Sequence, residues 1–204
     1  MKVLVTGGAR SGKSAFAERY AAKLAPEGIY IATAQAYDDE MRQRIEQHRQ
    51  ERAERGFRWT TREEPYDLAG ALRELAAQQR PEAGPAPGPA PAAEESGRLG
   101  RVVLVDCLTL WLSNRLLERE GEAEAERRVE ALIEELAQAF ADYSGALVLV
   151  TNEVGYGLVP EYKLGRQFRD LSGRMNQRLA QAADQVFLVT AGIPIELKSR
   201  QYFI

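Results

Sequence analysis

One short stretch near the start of the chain constrains the fold most strongly, because it joins a buried strand to a loop that suits phosphate. Residues 3–14 read VLVTGGARSGKS, an apolar strand followed by the pattern G-x-x-x-x-G-K-[ST]. Glycines let the backbone curl so that successive N–H groups point at phosphate oxygens, and the helix predicted over 14–24 adds the positive end of its dipole. The stretch therefore predicts a nucleotide-phosphate site rather than a glycine turn before an ordinary helix.

The same pattern gives individual residues chemical roles. Lys13 is predicted to reach the outer phosphates, and Ser14 is predicted to hold Mg²⁺ through its hydroxyl. The whole predicted phosphate-binding set is Gly7, Gly8, Ala9, Arg10, Ser11, Gly12, Lys13 and Ser14.

Further apolar runs predict a parallel sheet. Residues 28–34 are continuously apolar, as buried parallel strands are, so Thr33 and Ala34 fall at the carboxyl end, where open α/β sheets bind ligands. Residues 102–106 form another such run that ends in Asp106. This resembles a Walker B strand, whose carboxylate holds Mg²⁺ directly or through water, although an aspartate there can also cap a helix.

The remaining periodicities predict alternating helices and strands. This alternation predicts the α/β class of P-loop NTPases, with a mainly parallel sheet covered by helices on both faces. Predicted strands are 57–61, leading to Glu63 and Glu64, then 146–150 and 185–190; predicted helices are 41–55, 66–79, 108–117, 122–143 and 163–183; 193–197 and 202–204 are candidates for a terminal hairpin or strand.

Length and composition narrow the class further. The 204 residues suit one domain spanning 1–204, with a proline-rich exposed insertion at 80–100. The net charge of −3 comes with no basic stripe, which argues against nucleic acid as a partner. No apolar run approaches the ~18 residues of a membrane span, and the start does not resemble a signal peptide, so we expect a cytoplasmic protein. The single cysteine, Cys107, is expected to be a small buried hydrophobe rather than a nucleophile.

The helix predicted over 41–55 is unusually polar. Its only apolar side chains of any size are Met41 and Ile45, and it carries His48, the only histidine of the chain. A solvated charged helix is one interpretation. The other is catalytic, since an imidazole that is largely neutral at pH 7 can attack a phosphorus atom while neighbouring arginines neutralise the phosphates.

A glycine-rich segment follows the strand predicted over 146–150. Residues 151–160 read TNEVGYGLVP and begin at the carboxyl end of that strand. The segment is well placed to bind a substrate, and a plain connector is an equally good interpretation.

Several strings along the chain are more specific than a phosphate loop, and they lie at 5–14, 30–34, 38–41, 44–49, 151–155, 168–171 and 173–177. Together they resemble the bifunctional adenosylcobinamide kinase / adenosylcobinamide-phosphate guanylyltransferase family of cobalamin biosynthesis. The likeness spans nearly the whole chain; the proline-rich segment 81–91 looks like an insertion, and residues 115–143 carry no family signature.

The resemblance implies two reactions. In the first, a hydroxyl of adenosylcobinamide receives the γ-phosphoryl group of ATP or GTP. In the second, GTP transfers its GMP unit to adenosylcobinamide phosphate through a guanylylated histidine, with Mg²⁺ as the metal. By this resemblance His48 is the guanylylated residue, and Lys13 assists catalysis.

The resemblance also implies further nucleotide contacts and an assembly. Glu64 could equally fill the place of Glu63, and the polar helix would act as a lid or lie near another subunit of a homo-oligomer, which the resemblance implies is a trimer. The matching positions are Ala32, Thr33, Ala34, Arg49, Gln50, Glu51, Arg52, Glu63 and Asp106.

Two other functions are compatible with the phosphate loop. A small-molecule P-loop kinase with a different acceptor needs the loop and Asp106 but has no use for His48. A GTPase-type switch is disfavoured, because the chain contains no N-K-x-D string and its D-x-x-G match at 67–70 lies in a predicted helix.

Overall fold

The computed structural model describes residues 1–36, 39–78 and 100–203, without the side chains of Glu40, Arg44 and Glu51. Apart from Gly100, the predicted insertion lies outside these residues. The strands of the described part are β1 (Lys2–Gly7), β2 (Glu27–Ala32), β3 (Arg58–Glu63), β4 (Val102–Asp106), β5 (Ala146–Val150), β6 (Gln185–Thr190) and β7 (Ile193–Glu196). The helices are α1 (Lys13–Leu24), α2 (Asp39–Glu54), α3 (Leu68–Gln78), α4 (Leu108–Leu117), α5 (Ala125–Asp142) and α6 (Lys163–Ala182), followed by a short 3₁₀ turn (Lys198–Arg200).

These strands form one seven-stranded sheet in the order β3-β2-β4-β5-β1-β6-β7. Every pairing is parallel except that of β6 with β7, which is antiparallel. The predicted α/β class with a mainly parallel sheet is therefore confirmed. No helix within the described ranges combines the length and the apolar character that crossing a bilayer would require.

Alternation along the strands supplies an apolar layer on each face of the sheet. In β2, Ile29 and Ile31 join the larger core cluster, whereas Tyr30 between them joins the cluster on the other face. Helices α3 to α6 contribute to the larger cluster, and α1 contributes to the smaller one. Both faces are thus covered, which explains why the strand sequences read as continuous apolar runs.

The structure corrects several predicted boundaries. The strand predicted over 57–61 runs over Arg58–Glu63, so Glu63 is its last residue, and the strand predicted over 28–34 ends at Ala32. Helix α5 begins at Ala125 rather than at 122, and α3 begins at Leu68 rather than at 66. The terminal hairpin forms over 193–196, whereas residues 201–203 adopt no regular structure. Capping contacts and loop geometry decide such ends, and apolar periodicity does not report them.

Two glycines with opposite surroundings provide a test of this packing. A Cβ atom on Gly28 would lie 2.5 Å from Cζ3 of Trp59 and 2.9 Å from the carbonyl oxygen of Val102. We expect Gly28→Ala to lower the free energy of unfolding by about 1–3 kcal/mol, because the Trp59 ring is packed against Phe57 and Tyr30 and cannot withdraw freely.

The matched control is Gly173→Ala within α6, where an added Cβ meets no atom of the described residues within 4 Å. This change should raise the free energy of unfolding by about 0.5–1 kcal/mol, because alanine loses less backbone entropy in a helix. Urea unfolding of both variants measures the difference, and equal effects would contradict the packing described at Gly28.

Candidate active site

The predicted phosphate loop connects β1 to α1. Gly12, at the start of α1, has a φ of 90°, a left-handed conformation that favours glycine. The N–H of Ser11 donates to the carbonyl of Gly8 at 3.3 Å, and Nζ of Lys13 donates to the same carbonyl at 3.2 Å. The loop therefore curls back on itself, and the Lys13 side chain lies against the loop backbone.

The turn between β6 and β7 supports this loop from outside. The N–H of Gly192 donates to the carbonyl of Ser11 at 2.9 Å. A Cβ on Gly7 would lie only 2.4 Å from the carbonyl oxygen of Val189, so the loop leaves β1 in close contact with β6. Glycine at position 7 is thus required by packing as well as by the motif.

Strand register brings the other predicted residues to the same edge. Ala32, at the end of β2, is paired with Glu63 of β3 on one side and with Asp106 of β4 on the other. Asp106 is in turn paired with Val150 of β5. Three of the predicted nucleotide-contacting positions thus stand next to one another.

A cavity of about 220 Å³ lies at this edge of the sheet. Lys13 and Ser14 from the phosphate loop, Asp106 from β4 and His48 from α2 all line it. The exposed His48 side chain is thus on the same cavity as the residues predicted to bind phosphate and metal. The other lining residues are Tyr30, Ala32, Ala34, Met41, Ile45, Arg49, Arg52, Cys107, Leu110 and Asn152.

Asp106 is oriented by a tyrosine beneath the cavity. The hydroxyl of Tyr30 donates to Oδ2 of Asp106 at 3.1 Å. Burial, reinforced by the charge of Asp106, raises the pKa of Tyr30 well above its ordinary value of 10.0, so the hydroxyl keeps its proton. The carboxylate is consequently held in place by a neutral donor.

The donor set suits Mg²⁺ bound together with a nucleotide. No group of three or more His, Cys, Asp or Glu residues in the described ranges is arranged to hold a metal ion by itself. A hydroxyl from Ser14 and a carboxylate from Asp106 line one cavity, however, and Mg²⁺ is usually bound through one or two such oxygens plus substrate phosphates and water.

Helix α2 is attached to the rest of the molecule by two arginine contacts near its end. Arg52 is only 7% exposed, and its guanidinium carbon lies 3.7 Å from the centroid of the Tyr30 ring. Arg55, one residue past the helix, pairs its Nη1 with Oε2 of Glu18 on α1 at 2.5 Å. Both contacts position the helix that carries His48.

A second cavity of about 710 Å³ lies on another side of α2. Arg49 borders both cavities and forms an ion pair with Glu63, which lines the second one. Oε1 of Glu64 instead accepts the N–H groups of Tyr66 and Asp67, at 3.2 and 2.8 Å, before α3. The two neighbouring glutamates therefore have different roles, and of the two only Glu63 lines either of these two cavities.

Not every residue predicted to contact the nucleotide lines one of these two cavities. Thr33 is fully buried, and its hydroxyl both donates to the Cys107 carbonyl and accepts the Cys107 N–H, so it joins the ends of β2 and β4. Gln50 is exposed and borders neither of these cavities. Glu51 is also a predicted contact, and its side chain lies outside the described part of the chain.

Cys107 is buried, as the sequence predicts. Burial, with a contribution from Asp106, raises the pKa of its thiol to about 11. The thiol therefore stays protonated at neutral pH and is a poor nucleophile.

The cavity also includes two polar residues that the sequence reasoning did not single out, Tyr30 and Asn152. Asn152 comes two residues after the end of β5, within the segment 151–160 that the sequence analysis placed at the carboxyl end of a strand as a candidate substrate-binding segment, although it gave Asn152 no role of its own. Tyr30 carried no such signal, because it lies inside a strand.

The chain matches a known protein family over most of its length. The family model described as CobU, cobinamide kinase / cobinamide phosphate guanyltransferase, matches residues 3–82 and 90–197. Among solved structures, a DnaB-like replicative helicase covers 92% of this chain and 46% of its own, with 12% identity and a TM-score of 0.47.

Curated relatives give the same result. The chain is 40% identical over 198 residues to the bifunctional adenosylcobalamin biosynthesis protein CobP of Pseudomonas aeruginosa, covering 97% of this chain and 98% of that protein. It is 39% identical over 206 residues to the corresponding CobU proteins of Escherichia coli and Salmonella typhimurium, covering 97% of this chain and 100% of each relative.

The buried Glu18 makes a pH-dependent prediction about the attachment of α2. Burial raises the pKa of Glu18 above its ordinary 4.5, although the Arg55 charge opposes this. Because the folded state then binds the proton more tightly than the unfolded state, Glu18 costs stability as the pH rises through the range just above 4.5. The variant Glu18→Gln should therefore gain stability relative to the parent over that range.

Thermal unfolding of both proteins between pH 4 and 7 measures this difference. Gln43→Ala, an exposed change on α2 that removes no titratable group, is the control and should give a pH-independent offset. If the stability of Glu18→Gln relative to the parent does not change with pH, or falls as the pH rises, the stated cause of the pKa shift is contradicted.

Proposed function

The chain belongs to the cobinamide kinase / cobinamide phosphate guanyltransferase family, and we propose that it performs both reactions of that family at the cavity bordered by the phosphate loop and α2. It is thus a kinase and a guanylyltransferase of adenosylcobalamin biosynthesis. The observation that best supports the proposed location is the shared cavity, which Lys13, Ser14, Asp106 and His48 all line.

In the kinase reaction, the loop amides and Lys13 bind the β- and γ-phosphates of ATP or GTP. The hydroxyl oxygen of adenosylcobinamide forms a bond to the γ-phosphorus, and the bond from that phosphorus to the β,γ-bridging oxygen breaks. The electron pair leaves with the nucleoside diphosphate, and the hydroxyl proton passes to water. Positive charge and N–H groups aimed at the phosphates stabilise the charge that develops.

In the guanylyltransferase reaction, a ring nitrogen of His48 attacks the α-phosphorus of GTP. The bond from that phosphorus to the α,β-bridging oxygen breaks, and pyrophosphate leaves with the electron pair. A phosphate oxygen of adenosylcobinamide phosphate then attacks the same phosphorus, and the P–N electron pair returns to the imidazole. Splitting the transfer in this way keeps the GMP group activated between the two displacements.

Ser14 and Asp106 are the residues that would hold Mg²⁺ here. The ion, when bound, neutralises phosphate charge and orients the triphosphate. Tyr30 keeps the carboxylate of Asp106 turned towards the cavity. Arg49 and Arg52, which border the same cavity, are proposed to add positive charge near the α-phosphate. We also propose a homo-oligomer, on the family resemblance alone.

The histidine is tested by labelling with [α-³²P]GTP in the absence of any corrinoid. We expect His48→Ala to lose the covalent label by roughly 10³-fold or more, because no other nucleophile replaces the imidazole. Transfer of the γ-phosphoryl group to adenosylcobinamide should stay within about threefold of the parent, because it does not use His48.

The matched control for this variant is Gln43→Ala, an exposed change on the same helix, which should leave both activities intact. Label that survives in His48→Ala would exclude the histidine as the nucleophile. Loss of both reactions in a folded His48→Ala variant would show that the two reactions do not separate as proposed.

The metal site is tested through the Mg²⁺ requirement of the kinase reaction. We expect Asp106→Asn to raise the Mg²⁺ concentration at half-maximal rate by about tenfold or more, because it removes a charged ligand. Tyr30→Phe keeps the carboxylate but removes its hydrogen bond, so its shift should be smaller. An unchanged requirement in Asp106→Asn would contradict this assignment.

A further inference from the structure

Asn152 occupies a central position at the carboxyl edge of the sheet. It follows β5, and β5 lies between β1, which leads into the phosphate loop, and β4, which ends at Asp106. Register pairs Val150, the last residue of β5, with Val5 of β1 on one side and with Asp106 of β4 on the other. Asn152 therefore lines the cavity between β1, which leads into the phosphate loop, and β4, which ends at the proposed metal ligand.

The backbone around Asn152 is fixed on the side of the phosphate loop. The N–H of Thr151 donates to the Val5 carbonyl at 2.9 Å, and the N–H of Glu153 donates to the Gly7 carbonyl at 3.1 Å. The segment thus continues the pairing of β5 with β1 as far as the first glycine of the loop.

The backbone of Asn152 itself is fixed from the other side. Its N–H donates to the hydroxyl of Thr109, in the first turn of α4, at 2.8 Å. Its carbonyl accepts a hydrogen bond from Nδ2 of Asn176 on α6 at 3.2 Å. With both backbone groups bonded, the side chain projects from an anchored point.

The side chain, by contrast, has an unsatisfied buried atom. Oδ1 of Asn152 is buried and has no hydrogen-bond partner among the described residues. Leaving such a group without a partner costs about 1–3 kcal/mol, so an unsatisfied one calls for an explanation. Because no described residue bonds Oδ1, the carboxamide is free to rotate about its bond to Cβ, and this rotation can bring the buried Oδ1 to a ligand in the cavity.

We propose that Asn152 is a catalytic residue of the kinase reaction, which aligns the acceptor hydroxyl with the γ-phosphoryl group. Its Oδ1 accepts a hydrogen bond from the attacking hydroxyl, and its Nδ2 donates to an oxygen of the transferred phosphoryl group. This inference rests on the proposed placement of the triphosphate at Lys13 and Ser14. Bonds form and break as in the kinase step above, and the amide neither gains nor loses a proton.

Topology assigns Asn152 to the γ-phosphate rather than to the α-phosphate. Helix α2, with His48, follows β2, and β4 separates β2 from β5 in the sheet. The two side chains are therefore delivered to the cavity by segments that follow non-adjacent strands of the sheet. If His48 reaches the α-phosphorus, the γ-phosphate at the other end of the triphosphate lies nearer to Asn152.

The experiment compares the two reactions in Asn152→Ala and Asn152→Asp. Transfer of ³²P from [γ-³²P]ATP to adenosylcobinamide should fall about 10²-fold in kcat for both variants, because each loses the amide donor. Labelling of His48 by [α-³²P]GTP without corrinoid should stay within about threefold of the parent in both variants. The melting temperature of Asn152→Asp should match that of the parent, because this change keeps the shape of the side chain. Gln181→Ala, an exposed carboxamide change on α6, is the control and should alter neither reaction.

Each outcome is decisive. A selective loss of phosphoryl transfer supports the role of Asn152, whereas equal loss of both reactions, or loss of neither, overturns it. If Asn152→Ala does not fold, Asn152→Asp alone decides. A parallel Lys13→Ala variant separates this inference from the proposed function: if it keeps both activities, the triphosphate does not bind at the loop and the wider proposal fails.

Discussion

The site depends above all on the register of the parallel sheet. Hydrogen bonding holds neighbouring strands about 4.8 Å apart, so strands paired in register end side by side. Gly7, Ala32 and Asp106 are the last residues of their strands, and the segment after Val150 continues beside Gly7. Residues far apart in sequence therefore meet at one edge of the sheet. A slip of one residue in any strand would reverse the faces of its side chains and separate this set.

Helix α2 borders the cavity at this edge without being part of the sheet, and it is held there mainly by polar contacts. Its two larger apolar residues, Met41 and Ile45, are only half-buried, and the helix has no continuous apolar face. It is attached instead through Arg52 on the Tyr30 ring, through the ion pair of Arg49 with Glu63 of β3, and through the pair of Arg55 with Glu18. This polar attachment leaves charged side chains next to the cavity, where triphosphate chemistry needs them.

Several buried polar groups near the cavity lower the stability of the folded state, and we attribute their presence to the function of the site. Glu18 is buried at a cost that its ion pair does not fully offset, and this burial raises its pKa. Oδ1 of Asn152 is buried without a partner among the described residues. Tyr30 contacts Arg52 through its ring and Asp106 through its hydroxyl, so one side chain links the helix of His48 to the proposed metal ligand. Local violations of this kind concentrate at functional sites, while the apolar layers on the two faces stabilise the fold.

Features that depend on local chemistry could be predicted from the amino-acid sequence: the phosphate loop, the buried strands and their alternation with helices, and the family strings around His48. The sequence also indicated the carboxyl edge as the site, because parallel strands all end there. Only the tertiary structure distinguished Glu63, which faces a cavity, from Glu64, which bonds the turn before α3. It also decided that Thr33 joins two strands and that Tyr30 and Asn152 line the cavity. These roles depend on which side chains meet across the sheet, and that is fixed by register and packing between segments distant in the chain.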